Sequence, residues 1–431
     1  MSLKPAGFNL FGPASSSAGL GVATRGTAAL LDASSFQHCL ADIPIAGHEL
    51  GTPHGFEHLE CTDCERMPYG INIFHVGPDY LEDALRHGWS RRPVEHRFNA
   101  IVPFWELSGF PRPWMTYLQA VDVVLAPSRH IMKAILSANP DQPVIHYPQL
   151  TAPLPDVTAD RESWAFPEAH TVFLSAFDVF SDTNRKNPTG CIEAFRAAFG
   201  PDEPVMLVVR MKNADLDARY APTVEFVRQA ARDDPRIRVI EGVLPYPELL
   251  SLYASADVLV SLHRAEGLGL VLMEAMSLGT PVIATAWSGS MDFTTPENSG
   301  LVGFDLVPVR GLQDLYSPEL VGASLWAEPR LQDAVDWMRA LASDPSLRRA
   351  MAARARDDIA KLRVSPSRIE PFETLMNLYE AGGMRTERHR RATRYIRSRR
   401  RAALAARLKR LRDPRAIARR LARLVEPREQ R

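Results

Sequence analysis

The chain has 431 residues, 45% apolar and 24% charged, which excludes wholesale disorder and is too long for one ordinary core. Lys+Arg and Asp+Glu are 51 each, yet the zero balance hides a division: Arg385–Arg431 holds 19 basic and 4 acidic residues, so an acidic body carries a basic tail. There is no apolar run of about 18 residues and no signal-like stretch, and four cysteines make no disulfide framework. The expected location is therefore cytoplasmic, with peripheral attachment to the inner face of a membrane left open.

In chain order, Phe8–Phe11 reads as a strand entering a glycine-rich turn, followed by a helix over Gly21–Leu31. Buried strands are predicted at Asn72–Val76, Ala100–Trp105 and Val121–Ala126, and Ser128 caps a helix over His130–Leu136. Residues 1–150 thus form one α/β domain. Pro148, Pro153, Pro155 and Pro167 break the pattern, and 151–167 reads as a linker. A second alternation places strands at Thr171–Ala176, Val205–Val209, Ile237–Ile240, Val258–Leu262 and Val282–Ala284. Helices lie between them at Pro188–Phe199, Val224–Ala231, Pro247–Ala256 and Val271–Ser277, and amphipathic helices Ala334–Leu341 and Ser346–Lys361 close a domain spanning 168–364. Residues 365–384 carry one more amphipathic helix, Ser365–Tyr379, and 385–431 an Arg-rich helical tail. The fold class is α/β: two doubly wound Rossmann-like domains facing a cleft, with the ligand outside the carboxyl ends of the strands.

The chemistry concentrates in Glu266-Gly-Leu-Gly-Leu-Val-Leu-Met-Glu274, which follows the strand ending at Leu262 and opens a helix. Gly267 and Gly269 let backbone approach a ligand, and the amides of the first helical turn suit a phosphate. Glu274 falls about two turns into the helix, and a carboxylate accepts two hydroxyls at once, as a vicinal diol requires. Ser181-Asp-Thr-Asn-Arg-Lys-Asn-Pro188 places Arg185 and Lys186 after the first strand of the same domain, where cations would meet a departing anion. Arg210, Lys212 and Asn213 end the next strand and are candidates for the same cleft. At the N-terminus, Gly19-Leu-Gly21 enters a helix and can present amides to an anion, and Arg25 lies one turn on.

Residues 254–292 closely resemble the donor-binding half of retaining GT-B glycosyltransferases of the family-4 type, whose hallmark is two glutamates separated by seven residues. The resemblance implies that Glu266 contacts the donor sugar, that Glu274 holds the ribose, and that the amides of Leu268, Gly269 and Leu270 meet the diphosphate. It implies Arg185 and Lys186 as the diphosphate-neutralising pair of a subgroup with an Arg-Lys-Asn-Pro motif, although Phe177-Asp178 stands where an arginine is usual. It places the Gly19–Gly21 loop across the cleft from the phosphates. His75 matches a strand-end histidine near the reacting sugar, with Gly77 breaking the common His-x-His form; a structural role stands beside that reading. Trp105 and Glu106 end the next strand and either line the acceptor pocket or belong to the core. The implied reaction moves a sugar from a nucleotide sugar, such as GDP-mannose or a UDP-sugar, to a glycan or lipid-linked acceptor hydroxyl in polysaccharide synthesis. No metal or cofactor is expected. A GT-B sugar-nucleotide epimerase and an inactive binding module are the alternatives.

Two clusters stand apart. His54, His58, Cys61 and Cys64, with His48 nearby, are zinc-ligand types, but a reduced surface loop fits better than a metal. In the tail, Leu404, Leu408 and Leu411 recur at helical spacing among arginines, which suits an anionic membrane surface, with nucleic acid the less favoured partner and packing against the acidic body a third option.

Overall fold

The computed structural model describes residues 4–43, 53–61, 67–77, 97–118, 121–215, 218–310, 324–381, 398 and 401. Fourteen strands are found among these residues. The first sheet comprises β1 (Phe8–Gly12), β2 (His38–Asp42), β3 (Ile71–Phe74), β4 (Phe98–Ile101), β5 (Val123–Ala126) and β6 (Val144–His146), in the order β2-β1-β3-β4-β5-β6. The second comprises β7 (Thr171–Asp178), β8 (Val205–Lys212), β9 (Ile237–Glu241), β10 (Val258–Ser261), β11 (Val282–Thr285) and β12 (Gly300–Val302), in the order β12-β11-β10-β7-β8-β9. Every pairing in both sheets is parallel.

That order decides where a ligand can sit. In the first sheet the direction in which successive strands are added reverses between β1 and β3, and in the second between β7 and β10. A crevice opens at such a switch point because the following loops diverge. The loops after β1, β7 and β10 are the ones that carry the glycine turn, the Arg185-Lys186 pair and Glu266.

Buried apolar strands drive both sheets: β1, β3, β4 and β5 are buried along their whole length. The predicted Ala100–Trp105 strand lies earlier, at Phe98–Ile101, because Pro103 offers no N–H after Val102 has donated to Phe74. Trp105 is consequently in the loop; it is 1% exposed within the N-terminal core and its indole donates to Gly109 O at 2.8 Å, so it is a core residue and not a pocket wall. The linker carries no helix or strand, yet it is tied down: Arg161 pairs with Asp257 at 2.9 Å and donates to Pro167 O and His170 O. A hairpin of β13 (Phe304–Pro308) and β14 (Leu325–Pro329) leaves the second domain, and its Trp326 packs into the core of the first.

The predicted Ser365–Tyr379 helix is a short 3-10 turn, Pro366–Arg368, followed by the helix Glu370–Glu380. Its apolar stripe buries against the first domain. Phe372 meets the rings of Phe8 and Tyr147 at 5.6 and 5.1 Å, and the Tyr379 hydroxyl donates to Lys4 O. The Arg-rich tail beyond it falls outside the described residues apart from Ser398 and Arg401.

Candidate active site in the interdomain cleft

The loop after β7 is fixed by two polar residues in left-handed backbone. Asp182 (φ 69°) caps the turn Thr183–Lys186, its carboxylate accepting the amides of Asn184 and Arg185. Asn187 (φ 53°) ends that turn and caps the helix Pro188–Ala198 through Gly190 N, while its amide donates to Leu262 O at 2.9 Å. Asp and Asn tolerate this backbone because their short side chains bond locally. The sequence Asp-Thr-Asn-Arg-Lys-Asn-Pro thus encodes two consecutive caps that aim Arg185 and Lys186 at the loop after β10.

There they meet Glu266. Lys186 Nζ donates to Glu266 Oε1, and Arg185 Nη1 lies 3.4 Å from the same oxygen. Arg185 also donates to Ser181 O and Ala265 O at 3.0 and 2.9 Å, and its Nη2 lies 3.7 Å from Glu106 of the other domain. Burial alone would raise the Glu266 carboxyl, but Lys186 and then Arg185 outweigh it and hold it at about 2. The neighbouring His263, fully buried, is pushed down to about 4 by its burial and is neutral.

Glu274 has a different setting. The helix begins at Leu270 because Gly269 adopts φ 93° and ends the turn, so Glu274 is its fifth residue, one turn in and not two. The side chain is 3% exposed and accepts the Tyr246 hydroxyl at 2.8 Å. Burial pushes its carboxyl up to about 7, with Tyr246, Arg25 and Arg210 pulling the other way. Arg210 donates to Gly242 O at 3.3 Å.

The N-terminal domain supplies the opposite wall. Arg25 holds the glycine-rich loop, donating to Ala14 O and Ser16 O at 2.6 and 3.0 Å, and its guanidinium lies 5.6 Å from the Tyr246 ring centre. Lys212 Nζ donates to Ser17 Oγ at 2.8 Å across the cleft. Gly19 opens the helix Gly19–Asp32, and a Cβ there would lie 3.5 Å from Leu270, so two helix N-termini approach one another. Their dipoles reinforce a positive potential between them. Gly21 differs from Gly19, because its N–H is taken by Ala18 O and a Cβ would fall 2.2 Å from Ser16 O; it packs the loop and offers no free amide.

Closure is fastened by polar contacts. Ser128 Oγ donates to Gly267 O at 2.6 Å while capping Ile131 N. Asp292 accepts Arg129 N–H at 2.9 Å and pairs with His146 at 3.0 Å. Gly267 is needed for approach of protein, not only of ligand: a Cβ would sit 2.9 Å from Trp105 O.

His75 is bonded to a different partner. It is fully buried, its Nε2 shares a hydrogen with Thr27 Oγ1 at 2.8 Å, and its Nδ1 makes no hydrogen bond. Burial pushes it down to about 3, so it is neutral. The His54/His58/Cys61 set is not gathered into one ligand sphere, and His48 and Cys64 lie outside the described residues. His54 instead joins Glu60 and Asp42, whose donor atoms lie within 4.8 Å of one another. These groups satisfy local partners: His54 Nδ1 accepts Phe56 N–H, so Nε2 carries the proton that Glu60 accepts at 2.8 Å, and Asp42 accepts from Ser15. Sequence reasoning missed Tyr246 and Asp292; each contacts a partner distant in the chain, and no local spacing marks it.

The structure aligns with the Anabaena protein HepE, solved in complex with UDP and glucose, over 86% of this chain and 100% of that one, with a TM-score of 0.57 at 14% identity. It aligns with sucrose-phosphate synthase from Thermosynechococcus elongatus over 87% of this chain and 100% of the other, with a TM-score of 0.58 at 16% identity. The fold is GT-B. Within this GT-B chain, residues 230–305 match the family model for glycosyl transferases group 1, a span that contains Glu266 and Glu274 but neither Arg185 nor Lys186. The sulfoquinovosyl transferase of Arabidopsis thaliana is 33% identical over 123 residues, 28% of this chain and 20% of the relative. A D-inositol 3-phosphate glycosyltransferase of Catenulispora acidiphila is 35% identical over 107 residues, 21% of this chain and 25% of the relative. The shared segment is thus a quarter or less of each of these relatives' lengths.

Proposed function

We propose that this chain transfers a sugar from a nucleoside-diphosphate sugar to an acceptor hydroxyl, with retention at the anomeric carbon. The observation that carries the reading is the gathering of Glu266, Lys186 and Arg185 at the switch point of the second sheet, beside the N-terminus of the Leu270–Leu278 helix. Group 1 sequence over residues 230–305 supports the reaction class.

In this reading Glu266, ionised under all physiological conditions, accepts hydroxyls of the donor sugar and fixes its orientation. Glu274 takes the ribose diol. The diphosphate lies between the two helix N-termini, with the first-turn amides around Leu268–Leu270 and the ammonium of Lys186 neutralising charge as the anomeric bond breaks. Arg185, 3% exposed and committed to Ser181 O and Ala265 O, positions the Glu266 loop. The acceptor enters from the side of the first domain, near Glu106, and its proton passes to the departing diphosphate on the same face. The residues present supply cations of their own at the phosphates, and no step is assigned to a metal. The acceptor class that best suits the basic tail is lipid-linked, at an anionic membrane surface; among the described residues no helix is long and apolar enough to cross a membrane.

A binding screen of UDP- and GDP-sugars by calorimetry, followed by turnover assays on the tightest binder with glycan and lipid-linked acceptors, tests the proposal. Binding of one donor and anomeric retention in the product are expected. Free isomerised sugar without acceptor would replace it with epimerase chemistry, and no binding of any nucleotide sugar would remove it.

A further inference from the structure

Arg25 belongs to the first domain, whereas Tyr246 and Glu274 belong to the second. The three are connected physically. Arg25 Nη1 donates to both Ala14 O and Ser16 O, its guanidinium carbon lies over the Tyr246 ring at 5.6 Å, and the Tyr246 hydroxyl donates to Glu274 Oε1 at 2.8 Å. Tyr246 is the first residue of its helix, Tyr246–Ser255, so its side chain is held by that helix at one end and by Arg25 at its face. One hydroxyl occupies one lone pair of Glu274; the second oxygen remains for a diol. The contact exists only when the two domains are together.

We propose that Arg25 is a positioning residue for nucleoside diphosphate binding, setting Glu274 through Tyr246 and tying that geometry to the glycine-rich loop of the opposite domain. The inference rests on Glu274 holding the ribose. Four groups face the carboxylate: Tyr246 and Tyr253 from one helix, Arg210 from β8, and Arg25 from the first domain. Two arginines and the Tyr246 hydrogen bond favour its ionised form, and burial opposes it. Removing Arg25 or the Tyr246 hydroxyl therefore moves its titration further upward.

The test is calorimetric titration of UDP and GDP into the full chain and its Arg25→Lys, Arg25→Ala, Tyr246→Phe and Arg25→Ala/Tyr246→Phe variants from pH 6 to 9. Arg25→Lys keeps the charge but loses the planar guanidinium over the Tyr246 ring. Arg25→Lys and Tyr246→Phe should each weaken binding about tenfold at pH 7. The double variant should lose far less than the product of its singles. In Arg25→Ala and Tyr246→Phe the acid limb of affinity against pH should move upward, which a general loosening of the fold would not produce. Wild-type affinity with an unmoved pH limb in Arg25→Lys and Arg25→Ala, or fully multiplicative losses, would overturn the role of Arg25 alone. Failure of the wild type to bind either nucleotide would instead remove the ribose reading beneath it.

Discussion

The two glutamates of the cleft are the same residue type eight positions apart, both buried, and their surroundings drive them in opposite directions. Glu266 sits in the loop after β10 in contact with two cations and titrates at about 2. Glu274 sits one turn into the next helix with a tyrosine as its contact partner, its arginines farther off, and titrates at about 7. Burial is common to both; contact ion pairing decides the difference. The signs follow. Glu266 adds stability above its unfolded value near 4.5 that is lost as pH falls toward 2, whereas the stability tied to protonated Glu274 is full below 4.5 and is lost as pH rises through 7.

Turnover should respond most. Glu266→Gln keeps the shape and removes the charge, and should lower kcat by about a thousandfold while leaving nucleotide affinity nearly intact, as steady-state kinetics would show. Equal loss in kcat and nucleotide affinity would mean that the carboxylate binds the donor uniformly. Next comes the adjacent pair. Lys186→Met should cost about a hundredfold in kcat, whereas Arg185→Lys should act mainly by loosening the Ala265–Glu266 loop, visible as a lower unfolding midpoint beside its kinetic loss. Should the two variants lose kcat equally with unchanged stability, both cations serve the phosphate directly.

Glu274→Gln probes the contrast from the other side. Above pH 8 the ionised carboxylate costs the fold about 3 kcal/mol by its shift, so the glutamine variant should need more urea to unfold there, with the advantage vanishing below pH 5. Donor KM should rise about tenfold in the same variant. The latch should respond least. Asp292→Asn weakens the charge on the first turn of the Arg129–Ala138 helix and the His146 pair, worth about 1 kcal/mol, and should raise small-angle scattering dimensions slightly without altering the unfolding of either domain.

The second domain's half of this site was legible because its chemistry is contiguous. Glu266 to Glu274 and Asp182 to Pro188 each place chemistry and caps in one run, so residue spacing carries the geometry. The first domain contributes single residues from far-separated elements, and periodicity says nothing about which distant partner they meet. β2 was missed because His38 and Asp42 bracket three short buried residues, and the β13–β14 hairpin because β13 has no buried position and β14 carries its two buried residues side by side, so neither alternates. Tyr246 begins a helix with a proline behind it, a local signal of structure and none of function.

The Glu370–Glu380 helix has a consequence for how the molecule presents itself. After completing the second domain the chain crosses back and seals itself onto the first, with Tyr379 bonded to Lys4 and the Phe372 ring set between those of Phe8 and Tyr147. Residue 381 therefore departs from the same half-molecule that holds residue 4. The described chain thus ends on the half-molecule where it began, so the sequence from Arg385 onward continues from the first domain and not from the second.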